Sequence, residues 1–202
     1  MTNNNRTDHI FIDGSNLFIE GMRLSSHVRS GDSAQPVYQH QGFDFDFRID
    51  LRRLNAILGG VGSPIKPLLV GSRSENSDIV FESAAWCGFD TVVYERDSHN
   101  REKKVDATIT MRALLAALDG TPETTRIVIV AGDSDYVPVV VELRKRGYEV
   151  EVVFWEHGSR ELQSAASRFI ALDPYLELLR YTPVSRPPAQ RWRPDDVNGI
   201  VT

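Results

Sequence analysis

Apolar residues form a continuous run at Ile127–Val130, and all four are β-branched. A run of this kind is typical of a strand buried on both faces of a parallel sheet. It stops at a small Ala-Gly pair, two carboxylates follow at Asp133 and Asp135, and a helical pattern begins directly afterwards. The pattern therefore predicts a central strand with two acids at its carboxyl end, where open α/β sheets place their sites.

Shorter apolar runs alternate with amphipathic segments along most of the chain. The alternation predicts one α/β domain over residues 8–180, followed by a tail at 181–202. We expect a three-layer sandwich in which a central, mostly parallel sheet of five or six strands carries helices on both faces. Strands are predicted at 9–12, 67–71, 91–94, 127–130 and 149–155, and helices at 17–24, 50–58, 78–86, 105–118, 137–146, 160–172 and 174–179.

Three segments lack this periodicity. Residues 25–47 are polar and rich in turn residues, which predicts a functional loop or a local insertion. The alternating FDFDF at 43–47 is compatible with a short strand, but a surface loop anchored by aromatic side chains is the favoured interpretation. Residues 96–104 are charged and predict a mobile loop. The proline- and arginine-containing tail predicts an extended or disordered segment unless a partner contacts it.

The composition restricts the class of protein. Of the 202 residues, 41% are hydrophobic and 25% are charged, which is ordinary for a globular protein. The net charge of -5 gives no global basic field, but one cluster of acids could supply most of it, so an anionic substrate is compatible with it. Cys87 is the only cysteine, which excludes an internal disulfide and a cysteine zinc cluster. No apolar run approaches transmembrane length, and a cytoplasmic protein that binds no membrane is expected.

A second strand end carries a third acid. The strand predicted at 9–12 leads into Asp13, Gly14 permits a tight turn, and Asn16 can hold a carboxylate by hydrogen bonding. If this strand neighbours the central one, Asp13 lies beside the acids at the central strand's end. Asp106, in the first turn of a predicted helix, is a natural fourth member.

Grouped carboxylates repel one another unless a cation neutralises them. Oxygen ligands without a nearby cysteine or histidine favour Mg²⁺ or Mn²⁺. Such an ion activates water, binds a phosphate oxygen and stabilises a leaving oxygen. The chemistry that these residues predict is therefore phosphodiester hydrolysis.

Three sequence blocks resemble the NYN domain of the PIN-like nuclease superfamily, in its LabA-like branch. They are DGSN at 13–16, KKVD at 103–106 and AGDSDYVPVV at 131–140, and the resemblance spans roughly residues 8–176. It implies a PIN-like fold, a divalent-metal site and ribonuclease activity on RNA. By residue, it implies metal-binding or catalytic roles for Asp13, Asp106, Asp133 and Asp135, with Asn16 in support.

Two positions depart from the family pattern. Many relatives carry a further acid beyond the KxVD aspartate, where this chain has Arg112. An aspartate is usual before the RF pair, where this chain has Ser167. The change at Arg112 argues against a second metal ion.

Each site residue also has a purely structural interpretation. Asp13 and Asp133 could be turn or cap residues, and Asp135 could cap the helix that follows it. Asp106 could simply favour the positive end of its helix dipole. Ser134 could contact a phosphate or the metal's surroundings, or only form a turn, and Asn16 could only brace its own turn. Phosphate contacts by Arg101, Lys103, Lys104 and Arg160 and a solvated charged surface are both compatible with the sequence. Trp86 and Trp155 are predicted to be core residues.

Three functions are compatible with this set of residues. The favoured one is a metal-dependent nuclease, an endoribonuclease that cleaves RNA. The alternatives are a PIN-like module that binds RNA or a protein without cutting, and a metal-dependent phosphatase acting on small molecules. The sequence leaves open a homodimer and a partner for the tail.

Overall fold

Strands and helices alternate in the computed structural model, which describes residues 6–31, 35–59, 66–73, 78–95 and 104–182. The strands are β1 (Thr7–Asp13), β2 (Leu68–Arg73), β3 (Asp90–Glu95), β4 (Thr125–Val130), β5 (Glu149–Phe154) and β6 (Arg168–Ala171). The helices are α1 (Gly14–Ser30), α2 (Leu51–Gly59), α3 (Asp78–Trp86), α4 (Val105–Leu118), α5 (Val137–Lys145), α6 (Arg160–Ala165) and α7 (Leu176–Leu179). Short 3₁₀ turns cover Val37–Gln39, Ser134–Tyr136 and Asp173–Tyr175.

The strands form one sheet in the order β3-β2-β1-β4-β5-β6. Every neighbouring pair in this order is parallel, which confirms the predicted α/β class. β1 and β4 lie side by side, with Ile12 opposite Val130 at their carboxyl ends. The chain turns to one side of β1 for β2 and β3, and to the other side for β4 to β6. This reversal makes a crevice between the ends of β1 and β4, the usual position of a site in open α/β sheets.

Alternate residues of the central strand enter two separate hydrophobic cores. Val128 and Val130 pack in the core that includes Leu17 of α1. Ile127 and Ile129 face the opposite way, into the core formed with α4 and α5. The helices therefore cover both faces of the sheet, as the apolar run predicts, and the three-layer sandwich is confirmed.

The helix predicted at 160–172 is wrong in its second half. α6 ends at Ala165, and Arg168–Ala171 forms the sixth strand. The change begins at Ser167, whose backbone N–H donates to Val150 O at 2.8 Å and whose hydroxyl accepts from Val150 N at 3.1 Å. Residues 168–171 therefore form a strand because they pair with β5, although their local apolar spacing also fits a helix.

The segment predicted as a loop at 25–47 is partly helical, because α1 continues to Ser30. The FDFDF stretch contains a turn and no strand. Phe47 is buried, at 1% exposure, while Phe45 is 71% exposed. A single aromatic side chain therefore attaches this segment to the core.

A buried carboxylate provides the segment's second attachment. Asp44 accepts hydrogen bonds from Ser25 Oγ at 2.6 Å, Arg29 Nη1 at 3.0 Å and Arg180 Nη1 at 3.2 Å. These donors come from α1 and from the residue that follows α7. Asp44 consequently joins three parts of the chain that are distant in sequence.

The prediction of two core tryptophans is half right. Trp155 is fully buried, and its indole N–H donates to Leu17 O at 3.0 Å. Trp86, at the end of α3, is 92% exposed and is not a core residue. Phe81 and Ala84 supply the buried face of α3, and Trp86 lies on its opposite side.

Within the described ranges, no helix is long and apolar enough to cross a bilayer. The expectations for residues 96–103 and for the tail beyond Thr182 fall outside these ranges.

Candidate active site

Asp13 lies where β1 ends and α1 begins. It is the N-cap of α1, and its Oδ1 accepts from the backbone N–H of Asn16 at 3.0 Å. The residue is only 5% exposed. A carboxylate so placed is held in one orientation while its second oxygen is available to groups across the crevice.

Asn16 joins the ends of the two central strands. Its side-chain oxygen accepts from the backbone N–H of Gly132, directly after β4, at 2.7 Å. A Cβ atom at position 132 would collide with the ring of Phe154, so only glycine fits this close approach. The supporting role that the resemblance implies for Asn16 thus has a geometric counterpart in this bond.

Tyr136 brings Asp13 and Asp106 together. Its side chain is fully buried, and its hydroxyl lies 3.0 Å from Asp13 Oδ2 and 3.1 Å from Asp106 Oδ1. The two carboxylate oxygens are therefore at most about 6 Å apart, since both contact one atom. A hydroxyl has one proton, so it donates to one of the two acids at a time.

Burial, and then the negative charges of Asp13 and Asp106, raise the pKa of Tyr136 far above its ordinary value. The hydrogen bonds to both carboxylates act in the same direction. Tyr136 therefore remains protonated at physiological pH and serves as a donor between two acids.

Asp133 and Asp135 lie at the end of β4, as predicted, but both are exposed. Asp133 caps the 3₁₀ turn after β4, and its Oδ1 accepts from the backbone N–H of Asp135 at 3.1 Å. The hydroxyl of Ser134 is 3.5 Å from the same oxygen. The structural interpretation of the sequence allowed a cap at Asp133 and at Asp135, and the capping carboxylate of this turn is Asp133. Across the described parts of the chain, no three Asp, Glu, His or Cys residues are grouped closely enough to hold a metal ion.

A cleft of about 260 Å³ opens beside the Asp13–Asp106 pair. Asn16 and Glu20 form part of its wall on the α1 side. Burial raises the pKa of Glu20, but the hydrogen bond from His157 and the charge of Arg23 outweigh burial and lower it. Glu20 is therefore ionised at neutral pH and adds a negative charge to the wall of the cleft.

Sequence reasoning missed both Glu20 and Tyr136. Glu20 stands four positions after Asn16 on α1, so the two side chains share a helix face and the spacing was available as a signal. Tyr136 follows Asp135 in the GDSDY block. Nothing in the sequence shows that its hydroxyl reaches two acids from other elements.

The donor set at Asp13 and Asp106 fits Mg²⁺ or Mn²⁺. Both ions prefer oxygen ligands, and Mg²⁺ is commonly bound by one or two carboxylates while it keeps several waters. Two carboxylates that share one hydroxyl donor create a strongly negative local potential, which a divalent cation would neutralise. Asp13 and Asp106 are the residues that would hold it.

Two of the four predicted basic residues, Lys104 and Arg160, lie within the described ranges. Lys104 is exposed directly before α4, with φ of 77°, and its Nζ lies 5.5 Å from the centroid of the Tyr94 ring. Arg160 is exposed at the first residue of α6 and lines a separate cavity. Arg101 and Lys103 lie outside the described residues.

The sequence model of the NYN domain matches residues 9–173. The chain belongs to the NYN domain family, which is part of the PIN-like superfamily. No curated protein sequence matches the chain. Among solved structures, it is similar to a protein of unknown function from Vibrio parahaemolyticus, with 15% identity and a TM-score of 0.59. That match covers 85% of this chain and 96% of the other, and at such low identity it shows the shared fold alone.

Proposed function

We propose that this protein is a divalent-metal-dependent endoribonuclease that hydrolyses phosphodiester bonds of RNA. The observation that carries the proposal is the pair of Asp13 and Asp106 on the hydroxyl of Tyr136, beside a cleft at the switch point of the sheet. Membership of a nuclease-like domain family supports the same conclusion. We also propose a cytoplasmic location for this activity.

In this proposal Asp13 and Asp106 hold Mg²⁺ or Mn²⁺. When bound, the ion supplies Lewis-acid stabilisation of the reacting phosphate and its leaving oxygen. Tyr136 fixes the separation of the two carboxylates, and Asn16 keeps the β4 end against the β1 end. Asp133 and Asp135, exposed after the end of β4, are proposed to act through water on the metal or on the attacking water.

Substrate contacts are proposed for four basic residues. Lys104 adjoins Val105 and Asp106, which line the cleft, so its charge is well placed for a phosphate of the strand. Because the net charge of the chain is -5, attraction of RNA depends on such local cations. Arg101, Lys103 and Arg160 complete this proposed set.

The test is incubation of the full chain with end-labelled single-stranded RNA, hairpin RNA and single-stranded DNA, in Mg²⁺, Mn²⁺ or EDTA. We expect RNA cleavage with either metal, none in EDTA, and none by Asp13→Asn. Asp119→Asn, which changes an exposed acid at the far end of α4, is the matched control and should cleave as the wild type does. Equal cleavage by wild type and Asp13→Asn would contradict the proposal.

A non-catalytic RNA-binding module is the second candidate. It is favoured by the conformation of Asp133, whose carboxylate caps its own turn. The same experiment separates the two, because a binding module retards RNA on a gel in Mn²⁺ without producing fragments. Hydrolysis of a chromogenic phosphomonoester in place of RNA would instead support the phosphatase alternative.

A further inference from the structure

A second cavity, of about 440 Å³, lies beside the cleft, and we name it the lateral cavity. Its wall includes Tyr38, from the turn after α1, and residues that follow β5 and β6. The residues that follow these strands are Glu156, His157, Gly158, Arg160 and Asp173. The lateral cavity has the size of a small-molecule pocket, for which roughly 300–1,000 Å³ is usual.

The lateral cavity and the cleft lie along the same edge of the sheet. Ser159, in the loop after β5, donates its backbone N–H to Gly132 O, after β4, at 2.8 Å. Gly132 in turn donates to Asn16 in the cleft wall. A continuous set of contacts thus leads from one space to the other.

One hydrogen-bonded pair separates the two spaces. Glu20 lines the cleft, His157 lines the lateral cavity, and Glu20 Oε2 lies 2.8 Å from His157 Nε2. The His157 side chain is only 8% exposed, so the pair forms a fixed partition. A polymer whose phosphate is in the cleft would place its next unit on the other side of this partition.

The wall of the lateral cavity has two kinds of chemistry. Tyr38 is 63% exposed and presents an aromatic surface, and Arg160 presents an exposed guanidinium. Carboxylates of Glu156 and Asp173 lie in the same wall. Nδ1 of His157 is buried and has no hydrogen-bond partner among the described residues, so the two carboxylates are the side-chain acceptors that the wall presents.

We infer that the lateral cavity binds a nucleobase of single-stranded RNA adjacent to the phosphate in the cleft. Tyr38 stacks on the base, Arg160 contacts the flanking phosphate, and the acceptors in the wall take N–H donors from the base. Bases with an exocyclic amino group are therefore preferred to uracil. The position of this base relative to the scissile bond rests on the proposed function, whereas its binding does not.

The experiment measures binding of full-length protein to fluorescently labelled uridine octamers by anisotropy, in EDTA so that metal-dependent cleavage is excluded. One central position carries guanine, adenine, cytosine, uracil or no base. We expect the three amino bases to bind more tightly than uracil, and the abasic octamer to bind most weakly. Tyr38→Ala should weaken binding of the guanine octamer about tenfold, as expected for one stacked base.

Two variants serve as controls for Tyr38→Ala. Tyr38→Phe keeps the ring and should bind nearly as wild type does. Phe45→Ala removes an exposed aromatic ring of the same segment that is not in the cavity wall and should have no effect. Tyr38→Ala should also bind the abasic and guanine octamers almost equally, and Arg160→Gln should reduce the salt dependence of binding.

The inference is overturned if Tyr38→Ala binds like wild type, if it weakens abasic and guanine octamers by the same factor, or if wild type binds none of the octamers. If wild type cleaves RNA in Mn²⁺ but Tyr38→Ala does not change RNA binding, the proposed function stands and the base site is refuted. Binding that depends on Tyr38 without any cleavage supports the base site and refutes the nuclease.

Discussion

The side-chain oxygen of Asn16 and the backbone N–H of Gly132 are joined by a hydrogen bond of 2.7 Å. Each residue follows a different central strand, and each adjoins an acid of the candidate site. The geometry of the crevice therefore depends on a contact that neither strand makes alone.

Replacement of Asn16 by Ala should separate these two strand ends. It removes the partner of a part-buried backbone N–H, and we expect unfolding to become easier by about 1–3 kcal/mol. Cleavage of RNA should fall more than tenfold, because Asp133 and Asp13 lose their common support. Urea unfolding and initial cleavage rates measure the two effects. Gln163→Ala is the control, since it also removes a side-chain amide bonded to loop backbone, here as the donor, but lies outside the cleft. Unchanged cleavage by Asn16→Ala would show that the bond does not position the site.

Tyr136→Phe tests the shared hydroxyl. Without it, Asp13 and Asp106 lose a donor, and the protein in EDTA should be less stable by about 1–2 kcal/mol. Tyr148→Phe is the matched control, because that hydroxyl donates to Ala117 O and Gly120 O away from the site. We expect both variants to lose stability, but only Tyr136→Phe to change the rise in melting temperature produced by Mn²⁺. Identical responses to Mn²⁺ would refute a link between Tyr136 and the metal.

Two aspartates should differ in their effect on the metal-free protein. Asp13→Asn removes one charge from a pair of neighbouring carboxylates, of which Asp13 is buried and Asp106 is exposed, so we expect it to add about 1 kcal/mol of stability in EDTA. Asp133→Asn changes an exposed carboxylate whose capping bond an amide oxygen can also accept, and it should be nearly neutral. Millimolar Mn²⁺ should stabilise wild type above Asp13→Asn by linkage. Melting temperatures of the three proteins in EDTA and in Mn²⁺ test these expectations. A wild-type melting temperature that does not rise in Mn²⁺ would count against the metal site.

Stability should fall in acid because of Asp44. Burial alone would raise the pKa of Asp44, but hydrogen bonds from Ser25, Arg29 and Arg180 outweigh burial and hold it far below the ordinary value. The group is thus more acidic in the folded state, so its contribution is complete above about pH 4, the unfolded value, and is lost as the pH falls further. Asp44→Asn should be less stable at pH 7 and should lose less on acidification to pH 3. Asp119→Asn, an exposed control, should follow the wild-type curve.

Lys104 combines a charge with an unfavourable backbone conformation. Its φ of 77° is left-handed, and glycine adopts this conformation without the steric cost of a side chain. Lys104→Gly should therefore melt no lower than wild type, yet bind RNA more weakly with a salt slope smaller by about 0.7. Lys145→Gln, which removes an exposed charge at the end of α5, is the control. Equal salt slopes for Lys104→Gly and wild type would mean that Lys104 touches no phosphate.

The central part of the fold could be predicted because its signals are local. A continuous β-branched run, a small-residue turn and an acid follow one another at β4, and a similar order at β1 places Asp13. Their adjacency follows from the common topology of parallel sheets rather than from either segment.

Features that depend on distant partners could not be predicted. Arg168–Ala171 becomes a strand only because β5 offers an edge for pairing. The meeting of Asp13, Asp106 and Tyr136 requires three elements to pack in one particular arrangement. Asp44 is the second residue of an FDFDF pattern. Its burial depends on hydrogen bonds from Arg29 on α1 and from Arg180 after α7, which the local pattern does not show.

Tyr136 is synthesised after both of the acids that it joins. A nascent chain on the ribosome therefore contains Asp13 and Asp106 before it contains the hydroxyl that holds them together, or the strand β4 that pairs with β1. Until translation has passed these residues, the crevice has only one of its two walls. If the protein has the proposed activity, this order keeps its site incomplete beside the messenger RNA that encodes it until its own synthesis is well advanced.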